Sequence, residues 1–400
     1  MTSNKLPIII SGSGPVGLVA ATNLRRAGLP VVILEKTPDL PDDLRASTFH
    51  PPTLDMLAPL GFTDRLIEQG LVCKTWQYRD RQTGPVATFD LGVLSGDTDH
   101  PYRLQCEQWK LSRMARADLE ADGHEILYGH EVTGAEQDDL GVTVHYKDPA
   151  GEPRSMRGAY LIAADGAHSP IRKALGVKFD GMTIPEIFLN ISTTFRFEDA
   201  IPDLAPIAYI SDPKEWMTVL RTPSLWRVLL PTDPSLPESE LSDPDVIERR
   251  MQTVVPKEGR YEIAHVTHYR VHERVAENYV HGRIFLAGDA AHLNNPLGGM
   301  GMNGGIHDAM NLTDKLISVM KSGADLSVMQ RYDRQRRKVA LDTVQASTTR
   351  NRKMMSETDP AKREAYHDEL RAIEADRSKL RAHLLRASMI QSLRDLDLVA

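Results

Sequence analysis

Short apolar runs that stop at glycine punctuate this chain. Leu6 to Ile10 leads straight into Ser11-Gly12-Ser13-Gly14-Pro15-Val16-Gly17. Leu18 to Ala27 then has helical spacing and closes at Gly28, and Val31 to Leu34 is a second apolar run, ending in Glu35. Tyr160 to Ala164 repeats the form before Asp165-Gly166, with Ser169-Pro170 at a helix start, and Ile284 to Ala287 repeats it before Gly288-Asp289. Runs of this length, apolar at every position, suit strands buried on both faces of a parallel sheet. Gly298, Gly299, Gly301, Gly304 and Gly305 crowd the next stretch, and from Asn303 the spacing turns helical, with Ile306, Ala309, Thr313 and Leu316 on one face.

Other segments have different periods. Leu54, Leu57 and Leu60 mark a helix that stops at Gly61, and Trp109 to Leu119 marks another. Gln77 to Phe89 and Pro101 to Gln105 read as strands around a loop at Gly92 to His100. Glu125 to Gly129, Glu131 to Glu136 and Val142 to Lys147 alternate, which predicts a small antiparallel sheet. Val177 to Val280 is proline-rich, with short alternating runs (Leu189 to Phe195, Trp216 to Leu220, Trp226 to Leu230, Tyr261 to His272) and one helix near Pro244 to Val254. That pattern predicts an antiparallel sheet inserted into an α/β nucleotide domain. After Asp325 come basic helical stretches, a Pro360-interrupted segment and a Leu/Ile-spaced helix, a tail that packs on the core or on a second copy of the chain.

Composition narrows the class. At 400 residues, two lobes or one core with a large insertion are expected. A net charge of −7 gives no reason to expect nucleic-acid or anionic-membrane binding. Cys73 and Cys106 are too few for a disulfide framework or a Cys-rich zinc site. The opening MTSNKLPIII is neither a secretory signal nor a span, so cytoplasmic residence is the expectation. His265, His268 and His272 invite a metal reading, but on a strand only 268 and 272 share a face and no further ligand completes a set.

The chemistry lies in the glycine turns. Strand, G-x-G-x-x-G, helix, strand and acid occur in the order that a dinucleotide site requires. Gly12 makes the tight turn, Gly14 lets a pyrophosphate approach, and Gly17 packs helix on strand. Glu35 can accept hydrogen bonds from ribose hydroxyls, so FAD and NAD both fit. Gly288-Asp289 places a carboxylate at a strand end, and the helix from Asn303 points its positive end into a glycine cradle. Arg45 can reach a phosphate or a flavin edge, or stay a solvated loop arginine; His50 is a loop hydrogen-bonder or a base. Gln105 is a cofactor donor or a surface glutamine. Tyr209, Trp216, Thr218, Arg221, Trp226 and Arg227 read either as a pocket for a planar ligand or as half-buried sheet.

Together these motifs resemble the single-component FAD-dependent aromatic hydroxylases, the p-hydroxybenzoate hydroxylase-like flavoprotein monooxygenases. Gly12 to Gly17 with Glu35, Ala164-Asp165-Gly166-Ala167-His168-Ser169, and Gly288-Asp289-Ala290-Ala291-His292 through Pro296 to Asn303 carry the resemblance, over roughly the first 350 residues. It implies a Rossmann-like FAD-binding domain (1–75, 100–180, 270–350), an inserted, mostly antiparallel substrate sheet (76–99, 181–269) and a helical C-terminal tail (351–400). It implies non-covalent FAD held by Gly12, Ser13, Gly14, Pro15, Val16 and Gly17, with Glu35 and Lys36 at the adenosine ribose and the Val132 backbone at the adenine. Arg45 and Gln105 would contact the pyrophosphate and ribityl region, Asp165 and Gly166 both FAD and the nicotinamide, and Gly288-Asp289 the ribityl chain. Pro296, Gly299, Gly301, Met302 and Asn303 would line the isoalloxazine.

NADH or NADPH would reduce the flavin, and O2 would give a C4a-hydroperoxide that hydroxylates a phenolic or hydroxy-N-heteroaromatic ring. Pro296, His50 and Arg221 are the catalytic candidates: Pro296 at the flavin, His50, a pocket tyrosine or a water chain as proton acceptor, and Arg221, or Arg227, paired with a substrate carboxylate. Two rival readings are hydride transfer to a quinone- or polyprenyl-like substrate without oxygen insertion, and a non-catalytic flavin-binding protein. A homodimer is left open.

Overall fold

The computed structural model describes residues 6–41 and 46–399. Its centre is a six-stranded sheet in the order Val280–His281, Ile284–Leu286, Tyr160–Ala163, Ile8–Ser11, Val31–Glu35, Ile126–Tyr128. All neighbours except the first pair run parallel. Three of the apolar runs thus become adjacent strands, and Ile8 to Ile10, Leu161 to Ala163 and Ile284 to Leu286 are all buried. Helices Pro15–Arg26 and Gly301–Ser322 pack against each other beside this sheet. Their contact depends on Gly305, where an added Cβ would meet Val16 Cγ2 at 2.6 Å and Gly288 Cα at 3.2 Å.

The second sheet has eight strands: His292–Leu293, Ile263–Ala276, Phe179–Thr193, Trp226–Thr232, Met217–Arg221, Ile207–Ser211, Thr75–Asp80, Gly84–Asp90. It is antiparallel except where Ile207–Ser211 runs alongside Thr75–Asp80. Its outer face, with Leu189, Ile191, Val219, Val228 and Leu230, packs on the helix Pro244–Val254 through Ile247 and Met251.

Two strand expectations need correction. Gln77 to Phe89 is a hairpin rather than one strand, because Asp80 Oδ1 accepts the Gln82 and Thr83 N–H groups and Gly84 turns at φ +91°. Glu125 to Gly129 does not join the small antiparallel sheet. Ile126–Tyr128 is instead the parallel edge of the central sheet, and Gly129 (φ +72°) turns the chain out of it. The small sheet is completed by Pro153–Gly158 beside Gly141–Lys147 and Glu131–Asp138.

The helical tail packs on the core. Tyr78 donates to the Met354 carbonyl at 3.0 Å, His383 stacks on Phe89 at 5.0 Å, and Arg352 pairs with Glu186 at 2.8 Å. Pro360 is not a break but the first residue of the helix Pro360–Ala375, whose N-cap Asp359 accepts from Ala361 N and Lys362 N.

One buried carboxylate joins helix, turn and tail. Asp308 accepts from Arg336 Nε at 2.6 Å, His292 Nε2 at 2.7 Å and Gly288 N at 3.0 Å. Burial would raise this carboxyl, but the neighbouring His292 and Arg336 charges overcome that and hold it down to about 2, against an ordinary 3.8. A carboxyl depressed on folding stabilises the fold above its ordinary pKa, and that share is lost as pH falls through the folded value. Asp308→Asn should therefore cost about 3–5 kcal/mol at neutral pH, since Arg336 is left buried without its partner. Urea unfolding against pH should also show a flatter decline than wild type between about pH 4 and about pH 2.

Candidate active site

The first glycine turn is built by exclusion. Gly12 turns at φ +102°, where a Cβ would lie 2.4 Å from the Ala164 carbonyl oxygen, and a Cβ on Gly17 would lie 2.0 Å from the Gly12 oxygen. A Cβ on Gly14 would meet nothing within 4 Å. Gly12 and Gly17 are thus required by the fold, whereas Gly14 keeps its backbone open to whatever enters. Glu35 braces the turn: one carboxylate oxygen accepts from Ser13 N (2.8 Å) and Ser13 Oγ (3.0 Å), the other from Thr37 N (2.9 Å) and Thr37 Oγ (3.0 Å).

Gly14, Pro15 and Val16 open onto a cavity of about 650 Å³. Gly166, Asp289, Pro296, Gly299, Gly301 and Met302 line the same space. Asp289 is exposed to it, on a turn made by Gly288 at φ +60°. The helix Gly301–Ser322 begins at the cavity wall with no side-chain cap, so its first N–H groups and positive dipole end face the space. Between the lining residues Ala164 and Gly166, both carboxylate oxygens of Asp165 are shielded from water and have no hydrogen-bond partner. Burial pushes this carboxyl up to about 6, opposed by Ser169 and by the charge of Arg172.

The inner face of the eight-stranded sheet closes the other side. Tyr209, Thr218, Leu229 and Asn190 form one cross-strand row, and all four line the cavity. In the next row Leu220 and Arg227 do the same, with Arg227 Nη1 donating to Ser47 Oγ at 3.1 Å. Tyr269, Val271 and Leu297 add apolar wall, and His168, Arg270 and His272 add basic groups.

Several expected site residues lie elsewhere. Arg221 points away from the cavity and pairs with Glu198 at 2.8 Å. Trp226 donates to the same Glu198 at 2.6 Å and packs on Phe197, so it belongs to the outer core. Trp216 packs edge-on to Phe188 at 5.3 Å. His50 is fully buried beneath the wall. Its Nε2 bonds the Gly298 carbonyl at 2.8 Å, and burial, with the Arg103 charge, holds the imidazole well below its ordinary 6.5. It is a neutral support for the glycine turn and does not reach the cavity as a base.

Asn303 is also a brace: it donates to Thr48 O (2.8 Å) and Gly299 O (2.6 Å) and accepts from His50 N (2.9 Å). Gln105 is buried behind the wall, bonded to Thr48 Oγ1 (2.8 Å) and Ser47 Oγ (3.3 Å), while Gln108, in the first turn of the next helix, lines the cavity. Lys36 lines a separate, open cavity of about 460 Å³ with Thr37, Gly129 and Glu131, and Val132 is buried beside it. Arg45 lies outside the described residues.

Ser47, Thr48, Gln108, Asn190, Leu229, Tyr269, Arg270 and His272 were missed. A parity rule would have found Leu229, which shares one face of its strand with Arg227, and likewise Leu220, which shares a face with Thr218.

An FAD binding domain family model matches residues 5–347. The chain belongs to the FAD-dependent aromatic hydroxylases. It is 35% identical to para-nitrophenol 4-monooxygenase of Pseudomonas sp. (strain WBC-3), over 94% of this chain and 94% of that protein. It is 32% identical to 6-hydroxy-3-succinoylpyridine 3-monooxygenase HspB of Pseudomonas putida (strain DSM 28022 / S16), over 95% and 96%. The crystal structure of p-nitrophenol 4-monooxygenase PnpA from Pseudomonas putida DLL-E4 superposes with a TM-score of 0.91 at 33% identity, covering 97% of this chain and 98% of that one.

This hydroxylase uses FAD, and its residues fit the group. The orphaned Asp165 oxygens call for donors, Asp289 offers a carboxylate into the cavity, and Gly14 leaves a gap for close backbone approach. Gly12→Ala should lower the yield of folded protein. Gly14→Ala should fold normally but bind FAD at least about tenfold more weakly, ~1.4 kcal/mol. Flavin absorbance per protein, with melting curves of both apoproteins, separates these outcomes.

Proposed function

We propose that this hydroxylase acts on a phenolic or hydroxy-N-heteroaromatic small molecule with NADH or NADPH and O2. The observation that carries the reading is one cavity joining the glycine turns to a polar row on the sheet. The names of two relatives, a nitrophenol and a hydroxypyridine monooxygenase, support the substrate class. FAD bound here would supply the redox chemistry, passing electrons from the nicotinamide to O2 so that one oxygen atom enters the ring and the other leaves as water.

In this reading Gly12 to Gly17 and the helix start at Gly301 hold the phosphates and the isoalloxazine edge, with Pro296, Gly299 and Met302 against the ring. Asp289 would accept from the ribityl hydroxyls, and Glu35, its four acceptor positions taken by Ser13 and Thr37, would shape the turn beside the adenosine ribose, with Lys36 and Val132 toward the adenine. Gln105 acts indirectly, by holding Ser47 and Thr48 in the wall. Asn190, Tyr209 and Thr218 orient the substrate, and Leu220, Leu229, Val271 and Leu297 keep water from the reacting ring. The charge of Arg227 favours the phenolate, the electron-rich form of the ring.

At the cavity edge Arg270 forms no ion pair among the described residues, and neither does nearby Arg274. Burial, and after it the charges of Arg274, His168 and Arg270, lowers the His272 imidazole. Such uncompensated positive charge suits the phosphates of the reduced nicotinamide. Unpaired, buried Cys73 and Cys106 suit the reducing cytoplasm.

Oxygen-dependent NAD(P)H oxidation across a panel of phenols and hydroxypyridines, with product masses, tests the assignment. A substrate must gain one oxygen; turnover without oxygen would replace the reading with hydride transfer. Arg227→Met should raise KM for the phenolic substrate by about 10-fold or more, whereas Arg221→Ala should leave it unchanged. Arg270→Ala should raise KM for the nicotinamide several-fold and spare that for the phenol.

A further inference from the structure

Behind the cavity wall lies an arginine with no counter-charge. Arg103 is 2% exposed and sits in the three-stranded sheet of Thr48–Phe49, Arg103–Gln105 and Leu71–Cys73. Cys73 pairs with it on one side, and the Phe49–Leu104 register brings His50 alongside on the other. Among the described residues its side chain makes one hydrogen bond, from Nη2 to the Ala387 carbonyl at 3.4 Å, at the end of the helix Arg377–Ala387. It forms no ion pair among the described residues, and its Nε and Nη1 have no partner.

Its surroundings deepen the deficit. The guanidinium lies over the Trp76 ring at 5.1 Å, and the His383 ring is 6.0 Å from the same tryptophan. Trp76 Nε1, His383 Nε2 and the hydroxyl of Ser388, next to Ala387, are all buried without a partner. Arginine and tryptophan only donate, so these two orphans lack an acceptor. A helix end offers only partial negative charge, which leaves a buried guanidinium far from neutralised. Water would fill hydrogen bonds but not the charge.

We propose that the region around Arg103 is a binding site for a small monovalent inorganic anion of the halide class, enclosed between the three-stranded sheet and the C-terminal helix. The anion accepts from Arg103 and Trp76 Nε1, with Ser388 or His383 completing the set, and so pins the tail to the body. Tyr209 packs edge-on to Trp76 at 5.6 Å and lines the substrate cavity, so the site lies one layer behind the cavity wall. Nothing in this inference depends on which aromatic compound the enzyme hydroxylates.

The test uses the FAD-loaded enzyme. Crystals grown in sodium bromide should show an anomalous bromide peak within hydrogen-bonding distance of Arg103. Melting in sodium chloride or bromide should exceed that in sodium gluconate at equal ionic strength by about 2 °C or more. Arg103→Met should abolish the difference between salts. If that variant does not fold, Trp76→Phe, which keeps the ring and removes one donor, should shrink it. No bromide peak, together with equal melting in all three salts, would mean water alone and overturn the proposal. A halide effect that persists undiminished in the variants would overturn it as well.

Discussion

A carboxylate shut away from water sets the geometry on which the site depends. Asp308 is held ionised by Arg336 and His292, and its remaining capacity is spent on the Gly288 N–H. An apolar cluster of the same volume could match such a triad in stability. It could not hold a backbone N–H at one angle. Because Gly288 is fixed, Asp289 projects into the cavity rather than back into the core. Because Arg336 also donates to the Gly304 carbonyl at 3.1 Å, the first turn of the adjacent helix is fixed to the same point.

Around that anchor the enzyme separates charge by depth. Arg103 apart, the layer beneath the cavity wall is kept neutral: His50 is pushed below its ordinary range, and Asn303 spends its amide on three backbone groups. Polar and charged groups on the wall, such as Asp289, Tyr209 and Arg227, line the cavity itself. This division lets the wall offer polar contacts while the layer below stays rigid.

Most of the nucleotide half was legible because each device there is local. Strand, glycine turn, helix and acid follow one another within about thirty residues, so Gly12, Gly14 and Gly17 could be given separate jobs before any contact was known. The sheet half was less legible. Whether Arg221 or Arg227 faces the ligand depends on strand register, and Trp226 and Arg227, as neighbours on one strand, must face opposite ways. The aromatic clustering drew both tryptophans toward the pocket, whereas each fills core. His50 and Gln105 failed for a different reason: they lie near the cavity, but one layer too deep, and depth has no local sequence signal. Asn190 comes from one strand, and Arg270 and His272 from its partner about 80 residues later in the chain.

The order of strands in the central sheet also sets a timetable for synthesis. Ile8–Ser11 leaves the ribosome well ahead of its neighbour Tyr160–Ala163, which comes about 150 residues later, and that strand's other neighbour, Ile284–Leu286, comes more than a hundred later still. The nascent protein must carry exposed, strongly apolar strand edges while the whole intervening sheet emerges. Only when Arg336 is out can Asp308 be neutralised and the second glycine turn close. The cofactor site is thus a late product of translation, and a chain interrupted anywhere before that point offers the cell an unpaired parallel edge rather than a smaller flavoprotein.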